Sequence, residues 1–321
     1  MHFLSPIVLL LCAILPFVAS IHNHEQDERQ LIADGVVTGG AVDYAVVIQH
    51  DGSFVCGGVL IANDIVLTSA GCKASSIDSY EILVGVYNRT EVAPVTRSVV
   101  KELIHPDYDF LNQHNDIMLL KLNESVLGYD LIEMNDDPAV PMDDDMLNYT
   151  GWGITEDSEE FSNVLRTVEV FYVPSNSCSD SLTSAGFEPV SESDLCTFRF
   201  FAGPCDGDNG GPLILDRDGT PLLVGILSQS FDCGGFYLPH FSMRMSSFVG
   251  WINYSICYDL RDSEEEYDFC ADVTVPVAAP SVSPVAVPMA SSSTIHIASS
   301  IYSKHLFVVS LIFTTSLISL S

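Results

Sequence analysis

A series of short apolar runs, each broken off by turn-forming residues, limits the fold of this chain more than any other feature. Ala45-Val46-Val47-Ile48, Gly58-Val59-Leu60-Ile61, Ile65-Val66-Leu67-Thr68, Ile117-Met118-Leu119-Leu120 and Leu222-Leu223-Val224-Gly225-Ile226 are rich in β-branched residues and are separated by Gly, Asp, Asn and Pro. A helix needs an apolar stripe recurring over about ten residues or more, whereas brief runs of Val, Ile and Leu suit buried strands. The pattern predicts an all-β barrel or sandwich rather than a βαβ fold. Only Ser246 to Ile256, with Trp251-Ile252, reads as a helix, at the end of the β-rich region.

Both ends read as processing signals. Phe3 to Val18 is apolar but interrupted by Pro6 and Pro16, and Val18-Ala19-Ser20 supplies small residues for cleavage. Residues 1–20 are therefore expected to be a signal peptide, since a membrane anchor would need about 20 apolar residues. At the other end, Leu306 to Leu320 carries no charge and follows a polar spacer, Thr294 to Lys304, and the small residues Ser291-Ser292-Ser293. This order predicts a GPI-attachment signal over 294–321, with a short spanning helix as the alternative. A Pro-, Ala- and Ser-rich stalk over 271–293 precedes it, and residues 21–35 form a short N-terminal segment.

Of nine cysteines, Cys12 falls in the leader and eight remain, an even number that predicts four disulfides in a secreted chain. Sequons at Asn88, Asn123, Asn148 and Asn253 point to the same compartment. Twelve Lys and Arg against 43 Asp and Glu give a net charge of −31. That field repels phosphate, which excludes nucleic acid and anionic membrane surfaces as partners. The membrane is expected to be reached through the C-terminal anchor alone. Acidic clusters at Asp143-Asp144-Asp145, Glu156 to Glu160 and Asp262 to Asp268 read as solvated surface loops. None has the spacing of an EF-hand loop, so no metal or cofactor is expected.

Over 36–256, some two-thirds of the chain, the sequence resembles the trypsin/chymotrypsin-like serine proteases. The matching motifs are Cys56-Gly57-Gly58-Val59-Leu60-Ile61, Val66-Leu67-Thr68-Ser69-Ala70-Gly71-Cys72 and Asn115-Asp116-Ile117-Met118-Leu119-Leu120-Lys121-Leu122. Gly151-Trp152-Gly153, Cys205-Asp206-Gly207-Asp208-Asn209-Gly210-Gly211-Pro212-Leu213 and Trp251-Ile252 follow in the family's order. The resemblance implies two six-stranded antiparallel β-barrels with a cleft between them and a C-terminal helix. It also implies the disulfides Cys56–Cys72, Cys178–Cys196 and Cys205–Cys233. Arithmetic alone then leaves Cys257–Cys270, closing an acidic loop over 257–270.

Such a protease needs a serine hydroxyl, a histidine to take its proton and an aspartate to orient that histidine. Here the family's Ala-His-Cys reads Ala70-Gly71-Cys72, and its Gly-Asp-Ser-Gly-Gly reads Gly207-Asp208-Asn209-Gly210-Gly211. Only Asp116 survives of the triad. Glycine accepts no proton, and an amide nitrogen is no nucleophile because its lone pair is delocalised. Gly207 and Asn209 would supply the oxyanion-hole amides, and Ser228, Gln229 and Ser230 the strand beside the primary pocket. Of the other histidines, His114 is expected in a loop facing solvent and His105 in a structural turn, His105-Pro106-Asp107-Tyr108. His240 falls in the pocket wall and would narrow it, and Gly203-Pro204 replaces the trypsin-type acidic floor. The family's cut before an Ile or Val is also missing, since glycine precedes Val36 and the nearest Arg is Arg29. Asp208 would then lack the amine that normally pairs with it, so another donor must satisfy it or the oxyanion loop must rearrange.

These losses predict a non-catalytic homolog, secreted or surface-anchored, that acts as a protein-binding or inhibitor-like module. Among such homologs the chain is similar to the secreted glucanase-inhibitor proteins of plant-pathogenic oomycetes, which implies a secreted hydrolase as partner. Its acidity and anchored tail depart from that pattern. The alternatives are an endopeptidase with atypical catalytic residues and a structural cell-surface glycoprotein.

Overall fold

The computed structural model describes residues 35–155, 160–230, 233, 238–261, 267–271 and 273. The expected signal peptide, nearly all of the stalk, the C-terminal tail, and parts of the acidic clusters at 156–159 and 262–266 lie outside the described residues. Among the described residues no helix is long and apolar enough to cross a membrane.

A two-residue strand, β1 (Val36–Val37), precedes an N-terminal sheet of β2 (Ala45–His50), β3 (Ser53–Ala62), β4 (Ile65–Thr68), β5 (Tyr80–Val84), β6 (Val95–Arg97), β7 (Val99–Ile104) and β8 (Met118–Leu122). Their hydrogen-bonded order is β6-β5-β2-β3-β4-β8-β7, antiparallel throughout. The two edges, β6 and β7, are consecutive in the chain with only Ser98 between them. The sheet therefore curls until its edges meet through the chain, and no ladder joins them among the described residues. The expected all-β, two-barrel architecture thus takes the form of a curled half-barrel in this half. Ser98 turns away from the ladder: its amide donates to Asn123 Oδ1 at 3.1 Å and its carbonyl accepts from the Asn123 amide at 3.0 Å.

The second sheet contains β9 (Glu133–Met134), β10 (Met146–Gly151), β11 (Arg166–Val173), β12 (Asp194–Phe198), β13 (Pro212–Arg217), β14 (Thr220–Gln229) and β15 (His240–Arg244). It runs β11-β10-β13-β14-β15-β12, and β12 pairs back onto β11, so six strands close a barrel. Strand β1 extends it beyond β11, and β9 pairs in parallel with β14.

Strand β8 shows how the two halves join. Met118, Leu120 and Leu122 point into the N-terminal sheet with Val46, Ile48, Leu60 and Val66. Leu119, on the opposite face, packs with Ile214, Leu223, Ile226 and Met243 of the second barrel. Alternating side chains thus feed two cores, which explains why the run reads as continuously apolar instead of alternating.

Two helices flank the barrels. The C-terminal one spans Met245–Ser255, one residue from its expected bounds at each end, and buries Phe248 and Ile252 in the shared core. The other, Ser175–Ala185, is absent from the sequence reading. It is built of Ser, Asn, Asp and Thr, which compete with the helix for backbone hydrogen bonds, and has no side-chain N-cap. Only Cys178 and Leu182, one turn apart, are buried. Tertiary anchoring through the Cys178–Cys196 bridge offsets its poor propensity. Further disulfides join Cys56 to Cys72, Cys205 to Cys233 and Cys257 to Cys270.

Candidate functional site

Strand β4 delivers Ser69, whose side chain caps a short 3-10 turn, Ala70–Cys72. Ser69 Oγ accepts from the Gly71 amide at 3.0 Å and donates to Asp116 Oδ2 at 2.7 Å. Asp116, just before β8, is 0% exposed. Its Oδ1 accepts from the Gly71 amide at 2.8 Å, and its Oδ2 accepts from Ser228 Oγ of β14 at 2.6 Å. Burial raises the carboxyl's pKa above the ordinary range, and the Ser228, Ser69 and backbone donors oppose that rise only in part.

Gly71 is exposed, and a Cβ built on it would lie 3.2 Å from Ser69 Oγ and 3.8 Å from both Asp116 Oδ1 and Tyr108 Oη. A side chain fits there if the serine hydroxyl gives way. Burial, then the charge of Asp116, pushes the Tyr108 phenol up to about 12, and its hydroxyl is shut off from solvent with no hydrogen bond of acceptable geometry.

The loop 205–211 brings Asn209 against this corner. Its carbonyl accepts from the Gly57 amide at 2.9 Å and lies 3.7 Å from Cys72 Sγ. The segments that carry Gly71 and Asn209 are thereby brought together. A Cβ on Gly57 would sit 3.1 Å from Gly211 Cα, so the glycines of the two motifs let backbone pack on backbone. The Asp208, Gly210 and Gly211 amides donate to Cys205, Leu227 and Asp208 carbonyls. The amides of Gly207 and Asn209 have no acceptor among the described residues, which leaves two donors available to an incoming anion.

Asp208 is buried behind this loop. Its carboxylate accepts from the Gly153 amide at 2.7 Å and the Cys205 amide at 3.0 Å, and no cation pairs with it among the described residues. Backbone amides are thus the donors that satisfy Asp208 among the described residues. The Gly-Trp-Gly motif makes this possible, since a Cβ on Gly151 or Gly153 would fall within 2.3 Å of the carboxylate. Burial outweighs the two donors and lifts the pKa to about 6. An acid whose folded pKa exceeds its unfolded value holds its proton more tightly when native. Its contribution to stability is therefore present below about pH 4 and is lost as pH rises through about 6, a swing of roughly 2–3 kcal/mol. The Asp208 carboxyl carbon should titrate near pH 6 by NMR; titration near 4 would show that the backbone donors win.

His240, expected in the pocket wall, lies inside the second barrel. His240 of β15 is fully buried, and a Cβ on Gly203 would fall 2.2 Å from its Nε2. Its Nδ1 is hydrogen-bonded to Ser230 Oγ at 3.1 Å, and Ser230 Oγ donates to the Pro204 carbonyl at 2.9 Å. His105 packs edge-on against Phe248 and Trp251 of the C-terminal helix, with ring centroids 5.4 and 4.9 Å apart. His114 is half-exposed in its loop, with its Nδ1 3.8 Å from the Asp194 carboxylate. The structure brings neither His105 nor His114 to Asn209.

Three features escaped the sequence reading: Ser69, Tyr108 and the pair Phe110-Leu111. The last two sit in one loop, 107–115. Phe110 and Leu111 are 71% and 86% exposed, yet their backbone is braced. Asp109 Oδ1 accepts from the Leu111 amide at 2.9 Å, Gln113 donates to the Phe110 carbonyl at 2.7 Å and Asn115 to that of Asp107 at 3.0 Å. Two adjacent apolar residues after Asp109 were the signal available. Of the sequons, Asn123 is exposed in the turn after β8, Asn88 lies in a bridged turn, Asn148 lies within β10 and Asn253 in the C-terminal helix. No cluster among the described residues could hold a metal ion.

A family model described as Trypsin matches residues 35–252. The chain is 31% identical to Serine protease filzig of Drosophila melanogaster over 234 residues, 67% of this chain. It is likewise 31% identical to Kallikrein-1 of Mus musculus over 230 residues, 65% of this chain and 83% of that protein. Clotting factor G beta subunit of Tachypleus tridentatus is 30% identical over 62% of this chain and 70% of its own length. The match spans only 14% of filzig and 26% of Serine proteinase stubble.

Proposed function

The chain belongs to the trypsin family of serine proteases, and we propose that it is a non-catalytic member that binds a protein partner across its relic cleft. The observation that carries this reading is chemical. Gly71 beside Asp116 offers no base, and Asn209 offers no nucleophile. Further support comes from His240, buried against Gly203, and from Asp208, whose donors among the described residues are backbone amides.

Binding would use what the scaffold keeps rigid. Phe110 and Leu111 stand exposed on the braced loop that also carries Tyr108, an apolar pair that a partner can desolvate. The net charge of −31 favours a partner with a basic face, and a secreted hydrolase is the class proposed. Four disulfides suit an oxidising extracellular compartment. Surface attachment through a GPI anchor is part of the same proposal, and release by a phosphatidylinositol-specific phospholipase tests it.

The purified ectodomain is expected to leave a mixed peptide library uncut. Phe110→Ser/Leu111→Ser should weaken partner binding at least about tenfold, while Leu127→Ser should leave it unchanged. Equal effects from both changes would move the binding face elsewhere. The amides of Gly207 and Asn209, which have no acceptor among the described residues, favour one second reading, an endopeptidase with atypical residues. Turnover that survives repurification and disappears with Asp116→Ala would establish it.

A further inference from the structure

A triad aspartate is expected to accept a hydrogen bond from the imidazole it orients. In this chain a second side chain fills that role. Ser69 Oγ donates to Asp116 Oδ2 at 2.7 Å, and the same oxygen is the nearest atom, at 3.2 Å, to a Cβ built on Gly71. The carboxylate then receives Ser69, Ser228 and the Gly71 amide, with the Ala70 amide also facing it. A carboxylate has about four lone-pair sites, so little capacity is left for an imidazole N–H. The serine itself is held in place by accepting from the Gly71 amide at 3.0 Å.

We propose that Ser69 is a positioning residue that substitutes for the missing histidine: its hydroxyl occupies the Asp116 acceptor an imidazole would use and locks the relic site in a form that excludes one. The proposal rests on the non-catalytic reading for its meaning, but it concerns a hydrogen bond and can be tested apart from activity. Two consequences follow from the geometry. Removing the hydroxyl from the native chain leaves a buried carboxylate short of a donor, which costs stability. Removing it from a chain that carries histidine at position 71 has the opposite sense, since it frees the acceptor for the ring.

The test is a cycle of four full-length ectodomains: native, Ser69→Ala, Gly71→His, and both together. Thermal unfolding reads the first consequence, and the NMR titration of the introduced histidine reads the second. With Ser69 present, that histidine should titrate near its ordinary value, because the carboxylate is already engaged. With Ser69→Ala it should titrate upward by about one unit or more, because a hydrogen-bonded carboxylate favours the imidazolium. Free imidazole should raise the melting temperature of Ser69→Ala and leave that of the native chain unchanged. Ser69→Cys, a weak donor of similar size, should behave like Ser69→Ala, which guards against a folding defect of the alanine variant alone.

Identical histidine titrations with and without Ser69 would overturn the proposal, and so would an equal response of native and Ser69→Ala chains to imidazole. Peptide turnover by the native chain would instead overturn the non-catalytic reading, and the titration arm would still decide the role of Ser69.

Discussion

Replacing Lys121 by alanine is expected to cost about 3–5 kcal/mol, the usual penalty for removing one partner of a buried ion pair. Lys121 is 1% exposed, on the strand that joins the two cores, and its Nζ bonds the buried carboxylate of Asp64. Tyr267, from the loop closed by Cys257–Cys270, completes a triangle: it accepts from Lys121 Nζ at 3.0 Å and donates to Asp64 Oδ1 at 2.8 Å. Lys121 Nζ also stands 5.6 Å from the Tyr267 ring centroid. Without the ammonium, Asp64 is a buried charge facing a phenol whose own ionisation burial already opposes. For a domain of this size the loss corresponds to a melting temperature lower by about 10 °C. Lys121→Ala/Asp64→Ala should recover part of that loss, since a neutral gap is less costly than an unpaired charge. Additive losses in the double variant would show that the pair is not coupled. Tyr267→Phe should cost about 1 kcal/mol and loosen the C-terminal loop first, seen as faster proteolysis there.

The second large effect is a gain. Ser69→Ala/Gly71→His/Asn209→Ser is expected to raise kcat/KM on peptides by about 10³-fold or more over the native chain, because triad members act as a unit. The scaffold for this is present. Asp116 is braced by Ser228, and the Gly207 and Asn209 amides have no acceptor among the described residues. Gly71→His/Asn209→Ser without the Ser69 change should fall well short, since the serine hydroxyl stands 3.2 Å from the new Cβ and holds the carboxylate. His240 sets a separate limit. With its ring against Gly203, only substrates with small side chains should be cut, and His240→Gly should extend cleavage to large ones. No gain in the Ser69→Ala variant, with unfolding curves intact, would mean that the amide pair is not arranged to stabilise an anion.

The two predictions draw on different kinds of information. The reconstruction was legible in the sequence as far as its chemistry goes. Gly71 and Asn209 are losses of functional groups, and no fold restores a proton acceptor to glycine. Strand content was equally legible, because runs such as Ile65-Val66-Leu67-Thr68 have one economical way to bury β-branched side chains. The C-terminal helix was found from a local apolar pattern, and its bounds shifted by one residue.

What the sequence left open was whatever depends on residues far apart in the chain. Ser69 meets Asp116 across 47 residues and Ser228 meets it across 112, so no local window could show that the carboxylate is already satisfied. The helix at Ser175–Ala185 is built of residues that disfavour helices and is held by a disulfide to β12. One sheet closes by pairing β12 to β11, while the other turns at Ser98 toward Asn123, and among the described residues no ladder joins its edges. Sequence alone determined which groups exist and which are missing. Tertiary structure decided which of them share a hydrogen bond, because burial and directionality act only once distant segments are in contact.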